Sequence, residues 1–442
     1  MRPLKIIALL FTFALLAPIM AGEDAAAKEL RKKSEAGNLQ ATIELAHLSL
    51  LSQQGVEFNA DFIFNAFKKG AAEGNSRAHY GLAKCYILRV GTDRNSELAL
   101  KHAKASAEMN DPQGIRYLGN CYLYGRGMDK PDTKKGIALL KRAIEMGNEM
   151  AEYTYAYYLT RNLKDPESNK VGLSIARSLV ERGHPDGQHL IGTLYHDGRA
   201  GLPKDRKKAM EHYRLAAAQN HSGGLFQVGN LLVQDKKPQE AISWLVKAIN
   251  RGSTEACWSF AKILREDPDL QEEPYQWVSY AKTGAERGNK WAQDALGDFY
   301  FLKAPEELRD WVLSSKYCLL SAEQGRCVNW DRLSSIYLHG GYGVEKDFEK
   351  AMSYCEKHFE HSYSSSRNAG LILLKSRKYN AQKKLRIKGY AALITAKNKG
   401  AEITQKRISE LAKFARMDEE EIQEATELSK TGFPNEGDKM FE

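Results

Sequence analysis

The sequence predicts an all-α fold, a right-handed superhelical solenoid of about eleven helix-turn-helix units of ~36 residues, with no β-sheet. Three observations carry that expectation. A small residue recurs in one register at Ala46, Ala83, Gly119, Ala156, Gly192, Gly229, Ala261, Gly297, Ser334, Gly370 and Ser409. The intervals are 37, 36, 37, 36, 37, 32, 36, 37, 36 and 39 residues, a period proper to stacked helical repeats. Apolar residues at helical spacing surround each mark, and most units close on Gly or Asn.

The unit from Asp111 to Gly147 shows the pattern in full. A helical stretch leads to a turn at Gly125 and Gly127, then to a second helical stretch and a closing Gly. Gly119 falls in the middle of the first helix, where Gly is worse than Ala by about 1 kcal/mol. A close helix–helix approach is expected to offset that cost. Gly114, Leu118, Gly119 and Tyr122 make one stripe; Ala78, Leu82, Ala83 and Tyr86 repeat it, as do Gly187, Ile191, Gly192 and Tyr195, and Ala292, Leu296, Gly297 and Tyr300. Small residues flanking large ones on one face let the two helices of a hairpin pack closely.

Taken in order, residues 1–21 read as a secretory signal. Arg2 and Lys5 precede the apolar run Ile6–Leu16, which is short for a bilayer span, and cleavage is expected near Ala21. Residues 22–37 are expected to form a capping helix that ends at Gly37. Residues 38–432 hold the repeats and the closing helices, and 433–442 a polar tail. Left-handed residues that satisfy the last carbonyls of the second helices are expected at Gly74, Asn110, Gly147, Gly183, Asn220, Gly252, Gly288 and Gly325. Asp132, Asp205 and Asp347 stand where N-caps belong. The second helices carry an aromatic column of Trp244, Tyr280, Tyr317 and Tyr354, with His102 and His212 in the same slot. Those histidines therefore read as core or half-buried replacements for an aromatic. A weaker unit covers Ser362–Gly400, and helices around Ile408, Ser409 and MDEEEIQEATEL close the stack.

Removing the signal lowers the net charge from +9 to +7, because Arg2 and Lys5 go with it. On a chain of 442 residues that excess is a solvated surface, and without a concentrated basic run it gives no reason to expect nucleic acid. Cys85 and Cys121, like Cys318 and Cys355, occupy equivalent places in successive repeats. Stacked helices lie about 8–10 Å apart, whereas bridged Cα atoms need about 4.4–6.8 Å. These four are expected to be buried small hydrophobes; Cys257 and Cys327 have no evident partner.

The repeated LGNCY, IGTLY and LGDFY segments, the GRGMDKPD and GYGVEKD turns, and the helix ends AAEGN, IEMGN, AERGN and SAEQG carry a resemblance. The sequence resembles the Sel-one-like repeat (SLR) family, relatives of the tetratricopeptide repeats, from Lys28 to Phe433. The resemblance implies an adaptor or regulator, often exported in bacteria, that binds other proteins. Cysteine-rich secreted members pair two cysteines within each repeat and some bind penicillins. This sequence lacks that repeated pairing, so neither property is carried over.

Catalytic motifs are sparse. Ser259 with Lys262 and Ser279 with Lys282 fit S-x-x-K, and Lys430-Thr431-Gly432 spells K-T-G, but S-D-N is missing and K-T-G belongs on a strand. Cys355, His358 and His361 suggest a metal cluster, yet positions i and i+6 on a helix are about 240° apart and cannot converge. We expect no enzyme, no metal and no cofactor.

Binding is expected on the first helices, which in tetratricopeptide-like solenoids line the concave face. Positions related to the small residue then place Tyr80, Lys84, Arg116, Asn120, Tyr153, Tyr157, His189, Thr193, His196, Phe226, Asn230, Trp258, Lys262, Trp291, Asp294, Asp298 and Asp331 in a groove. Aromatic and Arg side chains are the usual anchors of protein interfaces. The basic residues collect in the early units and the acids in the later ones. The expectation is a periplasmic or secreted monomer, without a membrane span after signal removal, that binds a partner protein in this groove. One form is an immunity protein that neutralises an antibacterial effector such as a secreted phospholipase. The alternatives are an envelope signalling regulator and a weak β-lactam or cell-wall hydrolase.

Overall fold

The computed structural model describes residues 25–51, 56, 58–161, 165–357, 363–375, 383–398 and 403–431. The expected signal and tail, His358, His361 and Gly432 lie outside the described residues. Among the described residues there are 23 α-helices and no strand, only an isolated bridge between Gly341 and Val344. A lone helix, α1 (Ala25–Glu35), precedes eleven pairs. The first four are α2 (Leu39–Leu51) with α3 (Ala60–Ala72), α4 (Ser76–Leu88) with α5 (Ser96–Glu108), α6 (Pro112–Tyr124) with α7 (Thr133–Glu145), and α8 (Glu149–Leu159) with α9 (Pro166–Glu181). Next come α10 (Pro185–Asp197) with α11 (Arg206–Ala218), α12 (Ser222–Gln234) with α13 (Pro238–Asn250), and α14 (Thr254–Glu266) with α15 (Gln276–Glu286). The last four are α16 (Lys290–Asp298) with α17 (Trp311–Ala322), α18 (Val328–His339) with α19 (Phe348–Glu356), α20 (Tyr363–Lys375) with α21 (Lys383–Asn398), and α22 (Gln405–Phe414) with α23 (Glu419–Thr431). The chain divides into two compact units, one ending at Thr283 and one beginning at Gly284.

All eleven marks fall in first helices, and ten of them, Ala46 through Gly370, are buried. Ser409 is only half-buried, while Ile408, Leu411 and Ala412 take the core positions of α22. The eight closing residues all adopt left-handed backbone, with φ from 58° at Asn110 to 89° at Gly325. The three Asp caps form as well: Asp132, Asp205 and Asp347 accept from the backbone N–H of Lys135, Lys208 and Lys350 at 2.9–3.0 Å.

Gly119 is where the close approach occurs. A Cβ there would lie 3.1 Å from the Gly136 carbonyl oxygen and 3.2 Å from Leu140, both on the paired helix α7. Gly192 does the same against Tyr213 of α11, at 2.8 Å, and Gly229 against Leu245 of α13, at 2.8 Å. The other small residue of the stripe serves a different contact from the one its sequence suggests. A Cβ on Gly114 would meet Ser106 of α5, and one on Gly187 would meet Leu179 of α9 at 2.5 Å, so this position packs on the preceding pair and not within its own hairpin. Alternating contacts of these two kinds make the core continuous: Ala83, Leu100, Ile115, Leu118, Ala143 and Ala151 form one buried cluster across three successive pairs.

The six cysteines are thiols, five of them buried and Cys327 exposed. Burial pushes the Cys85 and Cys318 thiols up to about 12 and that of Cys121 to about 11, as expected of small core hydrophobes. Among the described residues no helix is long and apolar enough to cross a membrane.

Candidate functional site

In the unit that ends at Thr283, each first helix touches the preceding helix and the next first helix, from α2 against α4 through α12 against α14, and also its own partner, α14 doing so through Phe260 against Tyr280 at 4.6 Å. Among the described residues, successive second helices make no comparable contact there. The first helices are therefore the inner layer of the stack, and the candidate residues of that unit all lie on them.

The stripe is a column of rings with cations set beside them. The Tyr80 ring meets His47 at 5.9 Å and Tyr117 at 5.6 Å between centroids, with Lys84 at 5.7 Å over its face. Arg116 donates to the Tyr80 hydroxyl at 3.3 Å and to Gln113 at 3.1 Å. Tyr153 and Tyr157 stack at 6.0 Å, and Arg161 lies 5.5 Å above Tyr157. Burial raises the Tyr153 phenol, with the charge of Asp186 adding to it, so Tyr153 is more a packing residue than a free anchor. Further along, Arg126 covers Tyr124 at 5.7 Å, and Arg265 lies between Trp258 and Trp277 at 5.3 and 5.6 Å. Lys262 instead reaches Glu266 at 3.7 Å. Asn120, Phe226 and Asn230 are half-buried on the same layer.

His189 belongs to a polar cluster that spacing alone does not reveal. His184 and His221 act as N-caps of α10 and α12, accepting from the N–H of Asp186 and of Gly224 at 3.3 and 3.1 Å. With its Nδ1 accepting, a neutral His221 carries its proton on Nε2, which points at Asp186 Oδ1 3.1 Å away. His184 Nε2 reaches Glu149 at 3.3 Å, and the His189 ring lies 5.1 Å from that of His221. Burial, with the His221 imidazole beside it, lowers His189 to about 4. Burial works against the Asp186 carboxylate, but the hydrogen bond from His221 and the nearby imidazoles outweigh it and hold it below the usual range. Thr193 accepts from the Tyr213 hydroxyl at 3.3 Å, and His196 pairs with Asp197 at 3.0 Å. The signal for the caps was the residue after each closing Gly or Asn, but His is an uncommon cap.

His102 and His212 fill the aromatic slot of the second helices as expected. They stack on Tyr86 and Tyr195 with both pairs of centroids 5.8 Å apart, and their second contacts are to His79 and Gln188. Tyr317 stacks on Tyr300 in the same way at 6.4 Å.

In the unit that begins at Gly284, the acids on the first helices are bound within the fold. Asp294 accepts from Arg326, Arg332 and Asn329, and Asp298 pairs with Arg332 at 3.2 Å and with Lys303. Burial opposes the Asp294 charge, but the two guanidinium groups hold its carboxyl below the ordinary range. Trp291 is 46% exposed with Arg326 packed 4.3 Å over its ring, and Asp331 is half-buried on α18. Asp294 and Asp298 thus form an ion lock between successive pairs and do not lie open as groove charge.

Ser259 and Lys262 lie on α14 with the amine turned to Glu266, and Lys430 and Thr431 end helix α23 where K-T-G would need a strand. Of the C-x-x-H-x-x-H stretch, Cys355 is a buried thiol.

With this geometry in place, the comparison with known proteins is specific. Residues 76–111, 112–148, 185–221, 225–253 and 332–357 match the Sel1 repeat. The chain is a Sel1-repeat protein, and Sel1-repeat proteins are protein-interaction scaffolds, generally non-catalytic. It is 30% identical over 206 residues to NMB1327 of Neisseria meningitidis, covering 47% of this chain and 41% of that one. It is 24% identical over 235 residues to the chitin synthase regulator SKT5 of Saccharomyces cerevisiae, covering 50% of this chain and 34% of that one. The matched region thus spans about two fifths and one third of these relatives. Among solved structures it is similar to c5321, a protective antigen of uropathogenic Escherichia coli with an SLR fold, at 19% identity and a TM-score of 0.48, covering 92% of this chain and 94% of that one.

Proposed function

We propose that this chain is an exported, non-catalytic binding protein that seats one protein partner on the layer of first helices between α4 and α14. The observation that carries the reading is the row of half-exposed rings, Tyr80, Tyr157 and Trp258, each with a cation at its face. Amphipathic rings beside cations are the side chains from which interface hot spots are built. Export rests on the charge and the apolar run of residues 1–21. An exported scaffold acts by occupying its partner, and the partner takes one of two forms. It is an antibacterial effector such as a secreted phospholipase, which makes this chain an immunity protein, or it is an envelope sensor. SKT5, a chitin synthase regulator, is a relative whose role is regulation.

The test is a Tyr157→Ala/Trp258→Ala double variant, expressed in the native host and recovered from the envelope fraction. Its far-ultraviolet circular dichroism should match that of the parent while the co-purifying partner is lost. A partner retained at full yield would reject this surface. Recovery of the parent from the cytosol alone would reject export.

A further inference from the structure

The cations of the unit that ends at Thr283 fall into two sets. Arg182 pairs with Glu149 and Glu152, Arg206 with Asp235, Arg199 with Asp197 and, on the inner layer itself, Lys262 with Glu266. By contrast Lys84, Arg116, Arg126, Arg161 and Arg265 make ring or neutral contacts, and among the described residues none forms an ion pair with a carboxylate. From α4 to α10 the acids of the first helices are already engaged: Asp186 by His221, Glu149 and Glu152 by Arg182, and Asp197 by Arg199 and His196. A cation over a ring face stays attractive to an anion approaching from solvent, because the ring offers no compensating full charge. From α4 to α10 the layer thus presents positive charge beside apolar rings, with its own acids already paired.

We infer that the partner segment seated on this layer is an acidic peptide with interspersed aromatic or aliphatic side chains, its carboxylates set against Lys84, Arg116 and Arg161. The inference rests on the scaffold reading and adds the chemistry of the partner. Bidentate pairing of Arg with carboxylate supplies direction, and the ring faces take the apolar side chains. A polyanionic nucleic acid fits less well, since its evenly spaced phosphates would also run over Asp186, Asp197 and Glu149.

The experiment measures fluorescence anisotropy of the full chain with three labelled probes. These are a peptide of about 16 residues alternating Glu with Leu and Phe, the same peptide with Gln for Glu, and a uridine oligonucleotide of similar length. The acidic peptide should bind at least about tenfold more tightly than its Gln counterpart, with the difference shrinking as salt rises. Lys84→Glu/Arg116→Glu/Arg161→Glu should erase that preference. Reversal of the exposed outer lysines Lys104, Lys134 and Lys141 to Glu leaves the inner layer untouched and should preserve the preference within about twofold. Equal loss from both triple variants, no preference for Glu over Gln, or tighter binding of the oligonucleotide overturns the inference. A native partner still lost from Tyr157→Ala/Trp258→Ala in any of those outcomes would leave the scaffold reading standing.

Discussion

The two small residues of each first helix can be separated by adding one methyl group to each. At Gly187 a Cβ would stand 2.5 Å from Leu179 Cβ, 2.9 Å from the Leu179 carbonyl carbon and 3.0 Å from the Val180 nitrogen. Two of those atoms are backbone and cannot rotate away, so α10 must back off α9. Overpacking of this sort costs about 1–3 kcal/mol and lies here at the upper end, while the gain in helix propensity from Gly to Ala is about 1 kcal/mol. Gly187→Ala should therefore loosen the contact between successive pairs by about 2 kcal/mol. At Gly119 the nearest atoms are 3.1–3.2 Å away and two of the three belong to the Leu140 side chain, so a shift of a few tenths of an ångström suffices. Gly119→Ala should leave stability nearly unchanged, its propensity gain and its crowding offsetting each other. Hydrogen exchange read by mass spectrometry resolves the two, because a repeat stack opens locally at weakened interfaces. Amides of α10 should exchange about thirtyfold faster in Gly187→Ala, and those of α6 at nearly the parent rate in Gly119→Ala. Equal protection of α10 and α6 in the two variants would refute the assignment of the two contacts.

Three further outcomes follow from the same packing. Arg332→Leu strands Asp294, 13% exposed, with one partner fewer, and should cost about 3–5 kcal/mol by thermal melting; Asp294→Leu/Arg332→Leu should recover most of it, and a double variant worse than the single would contradict the ion lock. His47 and His189 are held neutral, at about 3 and about 4, against 6.5 in the unfolded chain, so the unfolded state takes up protons first as pH falls. Stability is fully present above about pH 6.5 and falls below it, by about 2 kcal/mol per histidine at pH 5; a His47→Phe variant with an undiminished pH slope would contradict the buried neutral ring. Maleimide should label Cys327 in the native chain but Cys85, Cys121 and Cys318 only on unfolding, as mass spectrometry of the modified peptides would show.

How far the sequence could be read depended on the range of each interaction. The small-residue marks, the left-handed closers and the Asp caps are local, each fixed within one helix or one turn, and they appear in the fold where spacing places them. So do His102 and His212, because a column position is a property of the repeat. What spacing could not reveal are contacts between side chains some 30 or more residues apart that meet only when pairs stack. Asp294 with Arg326 and Arg332 is one such contact, and His221 with Asp186 is another. The acids of the later units looked like groove charge because their partners were out of range. Gly114 looked like a hairpin contact because its neighbour Ser106 belongs to the preceding pair. In the candidate site the ring positions were legible from the register of the small residue, but the sequence did not show which are packed, like Tyr153, and which are half-exposed, like Trp258.

The central claim is that a protein partner sits on the first helices and not on the outer second helices. A photo-reactive benzoyl-phenylalanine placed at Tyr157 in the inner layer, or at Leu215 on α11, 51% exposed, tests it directly in the native host. The account predicts a discrete cross-linked product from position 157 on irradiation and none from position 215. A product from position 215 with none from 157 would contradict it.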